Sequence, residues 1–79
     1  MSNYKIWIAR DQDEEDEDYN LVKRGKLHMF YDSPELLYNP DTRNRYWGNA
    51  RIICEIPSYM YPNIDTCQCI VYENYKLYK

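Results

Sequence analysis

Tyr4-Lys5-Ile6-Trp7-Ile8-Ala9-Arg10 alternates residue by residue and carries bulk on both of the sides that alternation creates. Successive side chains of an extended strand point to opposite faces. Tyr4, Ile6 and Ile8 therefore share one face, and Lys5, Trp7 and Ala9 share the other. Such a strand is satisfied only where both faces are covered, so it is expected at the centre of a sheet. A second run, residues 26–31, sets Leu27, Met29 and Tyr31 inward against Lys26, His28 and Phe30. A third, residues 50–56, puts Ala50, Ile52, Cys54 and Ile56 on one face and stops at Pro57. Residues 68–78 are the last strand candidate, long enough to need a bend or bulge near Glu73 and Asn74.

Between these runs the sequence is punctuated. Residues 11–25 join the first two runs by a connection too long for a tight hairpin turn, with Gly25 as a turn position. Ser33 suits a helix cap and Pro34 the first helical position, while Pro40 stops any helix early, which predicts one or two helical turns. Residues 39–48 read as a polar loop, and residues 59–65, broken by Pro62, as a second. The expectation is a mainly β fold: a small antiparallel sheet of about four strands with one short helical turn. It forms a single small domain over residues 1–79 with an acidic loop at 11–18. A chain of 79 residues lies where one apolar core is only marginally sufficient. The second bulky face, with Trp7, suits burial against another subunit and is compatible with a homodimer.

Charge divides the chain unevenly. Ten Lys and Arg stand against thirteen Asp and Glu, yet seven of those acids fall in residues 11–18, leaving ten cations against six acids elsewhere. A mildly basic body carries one concentrated acidic segment. Asp13, Glu14, Glu15, Asp16, Glu17 and Asp18 are candidates for partner binding, as an electrostatic handle on a basic surface or an imitation of a phosphate backbone. The same run is equally a solvated, self-repelling loop. It is not an EF-hand: counted from Asp11, the required Gly and Glu positions hold Asp16 and Val22. Duplex nucleic acid is not expected as a partner, because these carboxylates repel phosphates.

Ten tyrosines and two tryptophans form the other unusual asset. Tyrosine serves half-buried sheets and binding surfaces alike, and sequence alone leaves both roles open. Arg43, Arg45, Tyr46 and Trp47 bring guanidinium groups beside aromatic rings, a chemistry suited to phosphate and base stacking, and are candidate ligand-binding residues. The alternative is that Trp47 plugs its loop into the core. Cys54, Cys67 and Cys69 cannot all pair within one chain, which with the lack of an apolar leader or span predicts a cytoplasmic protein with reduced thiols. Cys67-x-Cys69 is tighter than zinc-ligand spacing, and Cys54 alternates like a buried small hydrophobe, so no metal site is expected. His28 is the only histidine. A Cys–His pair with Cys54 or Cys69 stays open, but no oxyanion hole, phosphate loop or cofactor motif accompanies it. No enzyme activity and no cofactor are expected.

Trp7-Ile8-Ala9-Arg10-Asp11 resembles the opening of a group of short uncharacterised "WIARD"-type proteins of gut bacteria and their mobile elements. In that group a tight turn, a second strand, a proline pair, a later Trp and a proline-containing segment follow. Residues 27–31, Ser33-Pro34, Trp47 and residues 61–64 resemble those parts in turn. This chain departs by inserting residues 12–25 where the group turns at once. The resemblance implies a small β-rich fold and a phage or mobile-element setting, and no activity. The leading expectation is a non-enzymatic protein-binding accessory or regulatory protein, such as an inhibitor of a host protein. A nucleotide or small-ligand module built on residues 43–47 and an oligomer-forming structural subunit are the alternatives.

Overall fold

The computed structural model describes residues 4–15 and 22–75. In chain order the strands are β1 (Tyr4–Arg10), β2 (Glu14–Glu15), β3 (Val22–Lys23), β4 (Leu27–Phe30), β5 (Glu35–Asn39), β6 (Asn44–Gly48), β7 (Ile52–Ile56) and β8 (Cys69–Tyr75). Among the described residues there is no helix, hence none long and apolar enough to cross a membrane. Four strands form an antiparallel sheet in the order β7-β4-β1-β8, while β2–β3 and β5–β6 are separate two-stranded ribbons.

The double-sided strand is central, as its alternation requires. Ile6, Ile8 and Arg10 are fully buried on one face and Ala9 on the other. On the first face Ile6, Ile8, Leu27, Met29 and Ile56 pack together beneath Ile64, which arrives from the loop before β8. Burying each such aliphatic side chain contributes about 1.5–3 kcal/mol. Tyr61, Ile53, Ile70 and Tyr72 close the sides of this cluster.

Two irregularities shape the sheet. Tyr4 stands opposite Tyr75 and Ile6 opposite Tyr72, so β8 spends two residues, Glu73 and Asn74, against Lys5 alone. That bulge lies where the length of the last strand demanded one. In β7, Met29 faces Cys54 but Phe30 faces Ile52, which leaves Ile53 as an extra residue. The slip corrects the simple alternation of residues 50–56. Ile53 turns to the core, Ile52 is 56% exposed, and Cys54 is exposed on an edge strand instead of buried.

The expected helical turn and polar loop are instead one β-hairpin. Glu35–Asn39 pairs with Asn44–Gly48 in unbroken register from Glu35 opposite Gly48 to Asn39 opposite Asn44. Pro40 allows a helix begun at Pro34 only about a turn and a half, too short to repay nucleation. The same residues as a strand gain a full ladder of backbone bonds. The four-residue connection closes with Arg43 in the left-handed region (φ 60°), its N–H donating to the Asn39 carbonyl at 2.8 Å.

Candidate functional site

At the end of β1, the alternation that buries Ile6 and Ile8 also drives Arg10 inward. Among the described residues its guanidinium hydrogen-bonds to no carboxylate. Nε donates to the Ile64 carbonyl, Nη1 to Gly25 O at 2.9 Å, and Nη2 to Ser58 O at 2.9 Å and Tyr61 O at 3.0 Å. A buried charge is tolerable only with its donors satisfied, and four carbonyls perform that task here. Arg24 shares the Ile64 carbonyl at 3.0 Å. Burial and the like charge of Arg24 push the Arg10 guanidinium below its ordinary value, while Asp13 and Asp65 act in the opposite direction. Arginine nevertheless stays charged in proteins.

Residues 11–13 then bind three other segments. Asp11 Oδ1 accepts the Trp47 backbone N–H at 2.9 Å, and Trp47 Nε1 donates to Arg10 O at 2.9 Å. Gln12 and Arg45 exchange two bonds: Gln12 N–H to Arg45 O at 3.0 Å, and Arg45 N–H to Gln12 Oε1 at 2.9 Å. Strand β6 is thereby stitched to the chain leaving β1. Asp13 Oδ1 accepts the Gly25 N–H at 2.7 Å, and its own N–H donates to Thr66 Oγ1 at 2.8 Å. A Cβ at Gly25 would lie 1.9 Å from Asp11 O, so this glycine serves close backbone approach. Its φ is not positive, so no turn conformation demands it. Burial raises the Asp11 carboxyl above its ordinary value; the Trp47 N–H, then His28 and Lys26, oppose that rise.

The sequence candidates divide accordingly. Asp13 is a structural acceptor at the root of the acidic segment. Glu14 is exposed opposite Lys23 in the β2–β3 ribbon, and Glu15 stands opposite Val22 in the same ribbon. Asp16, Glu17 and Asp18 lie outside the described residues. Of the proposed ligand group, Trp47 is half-buried outside the core cluster and ties the hairpin to β1 through its Nε1–Arg10 bond, and Arg43 holds the turn. Only Arg45 and Tyr46 line the cleft that opens between the β2–β3 ribbon and the hairpin, a space of about 210 Å³. Lys23, Arg24 and Lys26 complete its basic wall. Sequence reading missed Arg10 as an organising residue, although its parity with Ile6 and Ile8 was the signal.

The opposite sheet face carries the thiol and imidazole. Register aligns Cys69, Ala9, His28 and Glu55 in one row across the four strands. His28 Nε2 lies 3.7 Å from Glu55 Oε1, and Nδ1 is buried with no hydrogen-bond partner among the described residues. Burial pushes the Cys69 thiol up, which favours the neutral thiol over the nucleophilic thiolate. Cys54 lies on the edge strand and Cys67 in a turn at φ 59°. Among the described residues, no three His, Cys, Asp or Glu side chains converge to hold a metal.

Comparison with protein-family models, with curated proteins and with solved structures finds no match, so the site is read from its own geometry.

Proposed function

We propose that this chain is a non-enzymatic protein-binding module, an accessory or regulatory protein that acts by occupying a surface of another protein. The observation that carries this reading is the distribution of tyrosine. Four of the six tyrosines with described side chains, Tyr31, Tyr38, Tyr46 and Tyr59, are exposed. The hairpin carries two of them. Tyr38 is 57% exposed and pairs across the ribbon with exposed Arg45, with Leu36 exposed on the same face and Tyr46, opposite Leu37, exposed on the other. Tyrosine and arginine are the residue types that most often dominate binding energy.

The bonds through Asp11 and Gln12 set this hairpin directly against the root of the acidic segment. A partner with an apolar groove beside a basic patch would meet both at once. The carboxylates would then steer encounter and orientation, and the hairpin would supply contact energy. A phage or mobile-element inhibitor of a host protein would work in this way.

The test is capture from host lysate followed by kinetics on the purified partner. Leu36→Asp combined with Tyr38→Ala should abolish capture, both side chains being exposed. Neutralising Glu14 to Asp18 while keeping Asp13 should instead slow association and flatten its salt dependence. A captured protein held equally by both variants sinks the proposal.

A further inference from the structure

Among the described residues, the cleft between the β2–β3 ribbon and the β5–β6 hairpin is lined by more cations than acids, with the root of the acidic segment, Glu14, on the same wall. Lys23, Arg24, Lys26 and Arg45 line it against Asp11 and Glu14. The ion pairs among the described residues are Lys5–Glu73, His28–Glu55 and Arg51–Asp32, all elsewhere. Arg24 has a partner, but it is the neutral Ile64 carbonyl. A fifth positive charge stands behind the cleft. Gly25 forms part of its wall, and the Gly25 carbonyl accepts from the buried Arg10 guanidinium at 2.9 Å. Among the described residues Arg10 hydrogen-bonds to carbonyl oxygens only, while Asp13 and Asp65 partly compensate it through their fields. Like charges gathered about a concave surface focus a positive potential into it.

We propose that this cleft binds a phosphate-class anion, either free phosphate or the phosphoryl group of a small molecule. Arginine forks and lysine ammonium groups are the side chains that recognise phosphate oxygens. The basic part of the cleft measures about 210 Å³, and the adjoining space of about 420 Å³ is walled by Asp13 and Glu14, which disfavour an anion there. Clefts that enclose whole drug-sized molecules run from about 300 to 1,000 Å³. A phosphoryl group fits, whereas a nucleotide would leave its base outside, against Tyr46 at the rim. This site shares Arg45 and Tyr46 with the surface of the protein-binding proposal, and the two are told apart because Leu36→Asp with Tyr38→Ala, outside the cleft lining, should leave phosphate binding unchanged.

Amide NMR titration of the intact chain tests it, with inorganic phosphate, adenosine monophosphate and sodium chloride of matched ionic strength as three arms. Saturable shifts confined to residues 11–12, 23–26 and 42–46 are expected with phosphate, with Kd on the order of 1 mM. Lys26→Gln combined with Arg45→Gln should weaken it about tenfold or more. Both side chains are exposed, and Arg45 holds Gln12 through its backbone, so the double variant keeps the fold. Equal affinity for phosphate and the monophosphate identifies free phosphate as the sufficient ligand. Tighter binding of the monophosphate, with added shifts at Tyr46, identifies a small phosphoester. Shifts no larger than those in chloride, or unchanged affinity in the double variant, overturn the proposal.

Discussion

Asp11 shows how one residue carries both structure and a pH signature. Its carboxylate caps the Trp47 N–H, yet burial makes ionisation harder in the folded chain than in the unfolded one. The folded state therefore binds the proton more tightly. This contribution is fully present below the unfolded pKa of an ordinary aspartate and is lost as pH rises through the elevated folded value. Asp32 has the opposite sign: its hydrogen bonds with Arg51 lower its pKa, so its contribution is lost in acid, and the exposed pair is weak. Asp11→Asn keeps an oxygen for Trp47 and removes the buried charge. At neutral pH the variant should be at least as stable as the parent in urea unfolding, with its advantage fading as pH falls. A deficit at neutral pH that disappears in acid would show that the ionised carboxylate is held favourably.

The β5–β6 hairpin is the element on which sequence and structure part company. An isolated two-stranded hairpin is marginal in water, and this one depends on its attachment through Trp47, Gln12 and Asp11. Trp47→Phe keeps most of the apolar ring but deletes the Nε1–Arg10 bond. It should cost about 0.5–1.5 kcal/mol and lower hydrogen-exchange protection across 35–48 more than across β1. Equal loss of protection in both elements would mean that the hairpin does not open separately. The sheet strands were legible because their alternation is long and uninterrupted, and β1 declared its central place through Ile6, Ile8, Trp7 and Ala9. Glu35–Asn39 was not, since Ser33-Pro34 is a strong local helix signal and its strand partner is set by pairing nine residues away. The exposure of Cys54 was hidden for a different reason: it stands in register opposite Met29, but alternation does not mark β7 as an edge strand. For the site, Arg45 and Tyr46 were visible as residue types, while the basic wall from Lys23 to Lys26 becomes a cleft only when the hairpin folds beside it.

Across the whole molecule, the guanidinium of Arg10 joins points that lie 15, 48, 51 and 54 residues away along the chain. Contacts of that reach demand closure of long loops before they return any stabilisation, which places this fold among the slower small domains. The network therefore has a place in time as well as in space. From the cost of loop closure, the sheet is expected to condense first around Ile6, Ile8, Leu27 and Met29, and the carbonyls of Gly25, Ser58, Tyr61 and Ile64 to gather on Arg10 late, as the 58–64 segment closes over the core. Arg10→Met should thus speed unfolding far more than it slows refolding, the signature in stopped-flow chevrons of interactions made after the transition state. A refolding rate that falls by as much as the unfolding rate rises would instead put Arg10 in the nucleus. By this ordering Arg10 is a latch. A latch of this kind would do little to guide the chain to its native state and would set how long the chain remains there.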